Sequence, residues 1–252
     1  RMLPYWLLLT LPATIALLPG RLSRSADFGI WVMVWLLISL MVGLRYSVGG
    51  DWESYNYMLS LQSYKTFGEV VSGGDPGYFL INWIVAGLGG SIYWVNTICG
   101  MIMMAGVVSF ARSLPLPWLA LSVAIPYLII VVGMGYTRQS AALGFLLLGL
   151  VALGQGSIRA FVFWVLLGAV FHKSAVLMLP VAALASTTNR FWTWIWGGML
   201  SMAAAYFFLF DSVDHLWTQY IDSDRYQSQG GLIRVVMNVV PALLFLVFHR
   251  NF

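Results

Sequence analysis

The sequence predicts an all-α polytopic membrane protein, with about nine transmembrane helices and one shorter re-entrant or interfacial helix among them. Three observations predict it. Hydrophobic residues make up 60% of the 252 and charged residues only 9%, whereas soluble domains carry about 25% charged residues. Mean hydropathy is +0.84. Apolar runs near the length of a membrane span, about 20 residues with a range of roughly 17–25, recur along the whole chain.

In chain order the expected spans are 2–19, 28–44, 91–111, 117–135, 139–154, 158–171, 174–187, 191–210 and 232–248. The first has the apolar length of a signal peptide's central region but no small-residue cleavage pattern after it, so it is read as a true span. The run 78–90 gives only about thirteen residues before Gly89-Gly90-Ser91. That is short for a crossing and tolerable at membrane depth only if protein or water covers it. With this helix not crossing, Arg21, Arg24, Arg112, Arg159, Arg190 and Arg250 fall on one face, in short connectors nearly free of acids, as a cytoplasmic side requires. The other face receives two long loops, 45–77 and 211–231, together with Arg138, His172, Lys173 and eight of the nine acids. The whole chain, 1–252, reads as one integral membrane domain.

Several classes drop out. The formal charge of +4 comes from 13 scattered basic residues, not from a stripe that would hold nucleic acid. One cysteine, Cys99, lies in an apolar run and offers neither a disulfide nor a metal cluster. The chain has no phosphate-cradling P-loop, no His-Glu-x-x-His and no paired-cysteine site, so no ATP hydrolysis, metal or cofactor is expected.

Four segments carry chemistry. The first, Gly43-Leu44-Arg45-Tyr46-Ser47-Val48-Gly49-Gly50-Asp51-Trp52-Glu53-Ser54-Tyr55, sets an arginine, a carboxylate and aromatic rings at the mouth of a helix, with glycines that let the backbone turn tightly. Its plain alternative is a helix-end arginine reaching headgroup phosphate within an aromatic belt. The second is Asp75-Pro76-Gly77-Tyr78, where Pro suits a first helical turn and Asp suits the cap before it. The third, Gly133-Met134-Gly135-Tyr136-Thr137-Arg138-Gln139, places an ionisable residue at or just inside the membrane, which is costly and by default functional. Arginine's planar fork fits phosphate. The fourth, Phe171-His172-Lys173-Ser174, breaks two apolar stretches with a group that titrates near neutrality. His215 and His249 stand in bland surroundings. The acidic stretch 211–227 is either a sugar-binding or a solvated loop.

In order and spacing, Gly43-Leu44-Arg45-Tyr46 with Gly49-Gly50-Asp51-Trp52 and Tyr55, then Asp75-Pro76-Gly77-Tyr78, Arg138-Gln139 and His172-Lys173-Ser174 resemble the EpsG / Wzy-like family of polysaccharide polymerases. The likeness runs from about residue 28 to 190, and Asp75 stands where a common family form has Glu. The resemblance implies a GT-C-like glycosyltransferase of the bacterial inner membrane, multi-pass, acting on the periplasmic or extracellular side. It would transfer a growing glycan from undecaprenyl diphosphate onto a second lipid-linked repeat unit, building O-antigen, capsular or exopolysaccharide. Arg45, Arg138 and Lys173 would stabilise the leaving diphosphate without a metal. Asp51 or His172 would serve as base. Tyr46, Trp52, Tyr55, Asp75, Tyr78 and Gln139 would line the substrate site. The partners so implied are the lipid-linked oligosaccharide, the bilayer, and a flippase and chain-length regulator of the same pathway. An O-antigen-ligase-like transferase with the same donor, a lipid-linked glycan transporter without chemistry, and a structural subunit of an export complex are the competing readings. A transporter calls for internal repeats around a central cavity, and no convincing repeat is visible.

Overall fold

A computed structural model describes residues 2–18 and 24–181, with isolated helical positions beyond. By its internal packing the chain divides into Arg1–Ala204 and Ala205–Phe252, and the described architecture belongs to the first unit. It is helical throughout, with no strand among the described residues. The helices are α1 (Leu3–Leu17), α2 (Arg24–Gly43), α3 (Trp52–Gln62), α4 (Phe67–Val71), α5 (Pro76–Gly87), α6 (Ile92–Ser113), α7 (Pro117–Ala124), α8 (Thr137–Gly154) and α9 (Ile158–Phe171). A π-helical stretch, Ile125–Gly133, continues α7, and a 3-10 turn, Lys173–Met178, follows α9.

Long α6 and α8 are apolar enough to cross a membrane on their own, while Leu3–Leu17, Asp27–Gly43, Pro117–Gly133 and Ile158–Phe171 are shorter apolar helices. The bundle's outside is itself apolar: Trp6, Leu11, Met33, Leu37, Val123, Phe163 and Leu166 are all exposed. A surface like that suits lipid, where every backbone polar group is satisfied inside its own helix. The expected spans 191–210 and 232–248 apart from isolated positions, the end of 174–187 from residue 182, the loop 211–231, and His215 and His249 lie outside the described residues.

Two contacts fix the direction of α2 against α6. Gly43, at the end of α2, touches Thr97 near the start of α6, with no room for a Cβ between them. Asp27, near the start of α2, pairs with Arg112 at the end of α6 at 3.2 Å. The two helices are therefore antiparallel neighbours, and residues 44–91 leave and return at the same end. The stretch between them, α5 included, therefore begins and ends at one end of the helix pair.

From α6 the chain turns back through α7, whose Trp118 stacks on Trp31 at 4.3 Å. Next, α8 runs parallel to α6, with Gly106 against the backbone of Gly144. Small residues permit this approach, which gives apolar helices the dispersion contacts that hold them together in lipid. Finally α9 returns along α8, its Phe171 ring 5.3 Å from that of Phe145. Arg112 and Arg159 thus stand at one end of the bundle. At the other end gather the close of α2, the openings of α6 and α8, and the close of α9.

The stretch 45–77, expected as a loop, contains two helices. Trp52, Tyr55 and Gln62, spaced to fall on one face of α3, are buried. In α4, Glu69 accepts from the backbone N–H of Thr66 at 2.8 Å, one half of a capping box.

Candidate functional site

The site assembles where those helix ends converge. Its centre is Arg138, in the first turn of α8. One guanidinium N–H donates to the Asp75 carboxylate at 2.7 Å, across 63 residues of sequence, and its Cζ lies 6.0 Å from the centre of the Tyr55 ring. Asp75 is nearly covered, at 8% side-chain exposure, while Arg138 keeps 30%. One of the guanidinium's five N–H groups is taken by the carboxylate, and the group faces partly outward. Asp75 was expected to cap α5. It stands at the N-cap position but makes no side-chain cap bond, because its oxygen is drawn to the cation instead. A buried carboxylate is stabilised far more by a full opposite charge than by a backbone N–H.

Helix α5 is held close. A Cβ on Gly77 would come within 2.9 Å of the Phe171 ring and of Val170, so glycine here lets α5 press against α9 and brings Asp75 to its partner. Behind them Tyr78 is fully buried, its ring edge-on to Tyr55 at 5.7 Å. Both phenols face Arg138 electrostatically. Burial raises the Tyr55 hydroxyl above its ordinary pKa, with Arg138 opposing, so Tyr55 is a neutral donor at physiological pH.

His172 and Lys173 complete the end of α9. The His172 backbone N–H donates to Gly168 at 2.9 Å, while the side-chain Nδ1 is buried without a hydrogen-bond partner. Burial lowers the imidazole pKa from its ordinary value. Asp75 opposes this and the cations Arg138 and Lys173 add to it. His172 is therefore neutral near pH 7, the form in which an imidazole accepts a proton. Lys173 is exposed, and its Nζ lies 3.9 Å from where a Gly74 Cβ would stand, beside Asp75 in the chain. Two cations, one tethered and one free, so flank a buried acid.

Arg45 lies elsewhere than expected. It is 6% exposed and donates to the Val42 carbonyl at 2.6 Å, to Asn96 Oδ1 at 3.4 Å and to Thr137 Oγ1 at 2.7 Å. Instead of being free to meet a diphosphate, as the resemblance implied, it ties the ends of α2, α6 and α8 together. Asn96 and Thr137, which sequence reasoning missed, complete this knot, Thr137 donating to Asn96 at 3.1 Å. Each was detectable as a polar group in the opening turns of an otherwise apolar helix.

The remaining predicted residues divide. Asp51 precedes α3 and is half-buried. It makes no cap bond and acts electrostatically on Tyr55. Trp52 is buried, 5.9 Å from Tyr93 and 6.1 Å from the exposed Tyr46. Gln139 is exposed and takes no part in the Arg138 cluster. Gly49, at φ +98°, would drive a Cβ to within 2.8 Å of the Met134 carbonyl, so the segment before α3 lies directly on the turn before α8. No group of three His, Cys, Asp or Glu side chains that could hold a metal gathers among the described residues.

The EpsG family model matches residues 29–252, most of the chain. No curated protein and no solved structure matches it.

Proposed function

The chain belongs to the EpsG family and is a membrane protein, and from that premise we propose that it polymerises lipid diphosphate-linked oligosaccharide repeat units. The carrier in this reading is undecaprenyl diphosphate, the enzyme a Wzy-type glycosyltransferase. It crosses the bacterial inner membrane about nine times, and its site opens to the periplasmic or extracellular face. Its products are O-antigen, capsular or exopolysaccharide, and its working partners are the flippase and chain-length regulator of the same pathway.

The observation that carries the proposal is the half-exposed Arg138, anchored by Asp75 and adjoined by the free Lys173. A diphosphate leaving group gains negative charge as the glycosidic bond breaks. Preorganised cations in a low-dielectric site stabilise that charge most where it develops. Arg138 supplies a planar donor fork and Lys173 a mobile point charge, with no metal in the step. The Tyr55 hydroxyl adds a neutral donor beside them.

The acceptor sugar hydroxyl attacks the anomeric carbon and loses its proton to a carboxylate or imidazole. Asp51, free of hydrogen bonds, and His172, held neutral, are the two groups placed to take it. Asp75 is engaged by Arg138 and is a positioning residue here, as is Arg45. Of the aromatic residues, the exposed Tyr46 would hold a sugar face or the polyprenyl neck, while Trp52 and Tyr78, both buried, pack behind the site instead of lining it as expected.

The test is reconstitution of the purified chain with a synthetic undecaprenyl diphosphate-linked repeat unit, products being resolved on a gel. A ladder spaced by one repeat unit, lost in Arg138→Ala, supports the proposal. Absence of the ladder with the cognate unit overturns it.

A further inference from the structure

Helix α3 has two unlike faces. Its inner face buries Trp52, Tyr55 and Gln62, and Tyr55 borders the site. Its outer face carries Glu53, Ser54, Tyr57, Ser60, Leu61 and, just past the helix end, Tyr64. Tyr57 is 65% and Tyr64 88% exposed. Seven residues apart, they stand about two turns along one side. Tyr46, also exposed, leads from this side to the Trp52 ring.

The chemistry of this face is selective. An interfacial membrane helix sets an apolar face in the lipid and lysines or arginines along the headgroups. Here no basic residue occurs from 46 to 64, while Asp51 and Glu53 are acidic. The face carries one acid, Glu53, and no base of its own, and offers flat rings interleaved with hydroxyls. Tyrosine couples an apolar ring face to a polar edge, which matches a pyranose with its C–H face and its ring of hydroxyls. The Ser60 hydroxyl donates to the Tyr57 carbonyl at 2.7 Å, leaving its oxygen lone pairs to accept from a ligand.

We propose that the outer face of α3, through Tyr57 and Tyr64 with Glu53 and Ser60, is a binding track for the glycan chain itself. The glycan is of neutral or amino-sugar character, and the track leads to the reaction site on the same helix's inner face. The inference rests on the proposed polymerase reading and assigns that reading a second site for the glycan, outside the reacting centre. A chain held along such a track stays bound between additions, so the track governs product length and not the formation of a single linkage.

The experiment uses the full chain in nanodiscs of neutral lipid. The probe is the source cell's own polysaccharide, freed of lipid and cut by mild acid into size-fractionated oligosaccharides. Binding is measured for the wild type, for Tyr57→Ala/Tyr64→Ala, for Tyr57→Phe/Tyr64→Phe and for Gly50→Ala, where a Cβ touches nothing. The double alanine should weaken binding at least about tenfold, as loss of ring contacts of this kind does. The double phenylalanine should retain most of the binding, and Gly50→Ala should leave it unchanged. Polymer made with the double alanine should be shorter, with the first linkage formed at the wild-type rate. Fragments that fail to bind the wild type, or that bind the double alanine equally well, overturn the inference. So does quenching of a fluorophore at Tyr57→Cys or Tyr64→Cys by spin-labelled lipid, which would make the face a membrane surface. A missing ladder in the wild type overturns the polymerase reading, while fragment binding separately decides the fate of the track.

Discussion

The Asp75 carboxylate and the Arg138 guanidinium meet at 2.7 Å, joining the start of α5 to the start of α8. The pair has one exposed member and one covered member, so removal of either has unequal consequences. Asp75→Ala leaves a partly exposed cation without its counter-charge, which costs less than the about 3–5 kcal/mol of breaking a fully buried pair. A clear drop in melting temperature in detergent is expected. Arg138→Ala should cost stability as well, and should reduce product at least about a hundredfold, the effect of removing one well-placed donor. The exchange Asp75→Arg/Arg138→Asp should recover much of the stability and none of the product. Recovered product would show that the pair is structural alone.

The knot of Arg45, Asn96 and Thr137 yields a different pattern. Thr137→Val keeps the shape and deletes the hydroxyl that Arg45 reaches at 2.7 Å. An unsatisfied buried donor costs about 1–3 kcal/mol, more when charged. Thr137→Ser should behave as wild type. Thermal unfolding of the three proteins checks this, and equal midpoints for Val and Ser would remove Arg45's claim to hold α8.

Adjacent glycines form an internal control. Gly49→Ala must adopt φ +98° and meet the Met134 carbonyl, whereas a Cβ on Gly50 touches nothing. The first variant should lower the yield of monodisperse protein in size-exclusion chromatography. Gly50→Ala should elute as wild type.

The imidazole gives a pH dependence with a definite sign. Burial holds His172 below its ordinary value, near 6.5 for a free imidazole. If His172 is the base, kcat/KM rises as it deprotonates, so the acid limb falls below pH ~6.5. Arg138→Gln removes a neighbouring cation and should shift the limb of the residual activity upward. A limb that persists in His172→Gln would assign the proton to Asp51.

Topology can be tested by labelling. Ser54→Cys, on α3, should react with an impermeant thiol reagent from outside, and Ser157→Cys, in the α8–α9 turn, should not. Cys99 is buried and stays silent. Equal reaction at both positions would contradict the opposite ends to which the structure assigns them.

How much of this was legible in the sequence depends on the distance between partners. Spans such as 158–171 follow from local apolarity, and the structure ends α9 at the same residues. Arg138, His172 and Lys173 also announce themselves locally, since charge in an apolar run has few plain explanations. The role of Arg45 does not, because the groups that claim it stand 51 and 92 residues away. Asp75 misled for the same reason: Asp before Pro reads as a cap until an arginine 63 residues on is folded against it. Helix α3 was overlooked because its face is marked by Trp52, Tyr55 and Gln62, a mixed set that hydropathy alone passes over. The π-helical stretch within 117–135 carries a local mark that apolarity alone passes over, Pro126 at its start, whose missing N–H breaks the regular helical ladder.

The shared end at which residues 44–91 leave α2 and rejoin α6 makes that stretch an insert between two helices already paired through Gly43–Thr97 and Asp27–Arg112. Arg138, His172 and Lys173 stand on the framework, while Asp51, Trp52, Tyr55, Asp75 and Tyr78 arrive with the insert. The site is thus split between two parts of the chain with different supports. A change confined to the insert can reshape one wall of the site and leave the paired framework standing, provided the insert still brings an acid to Arg138.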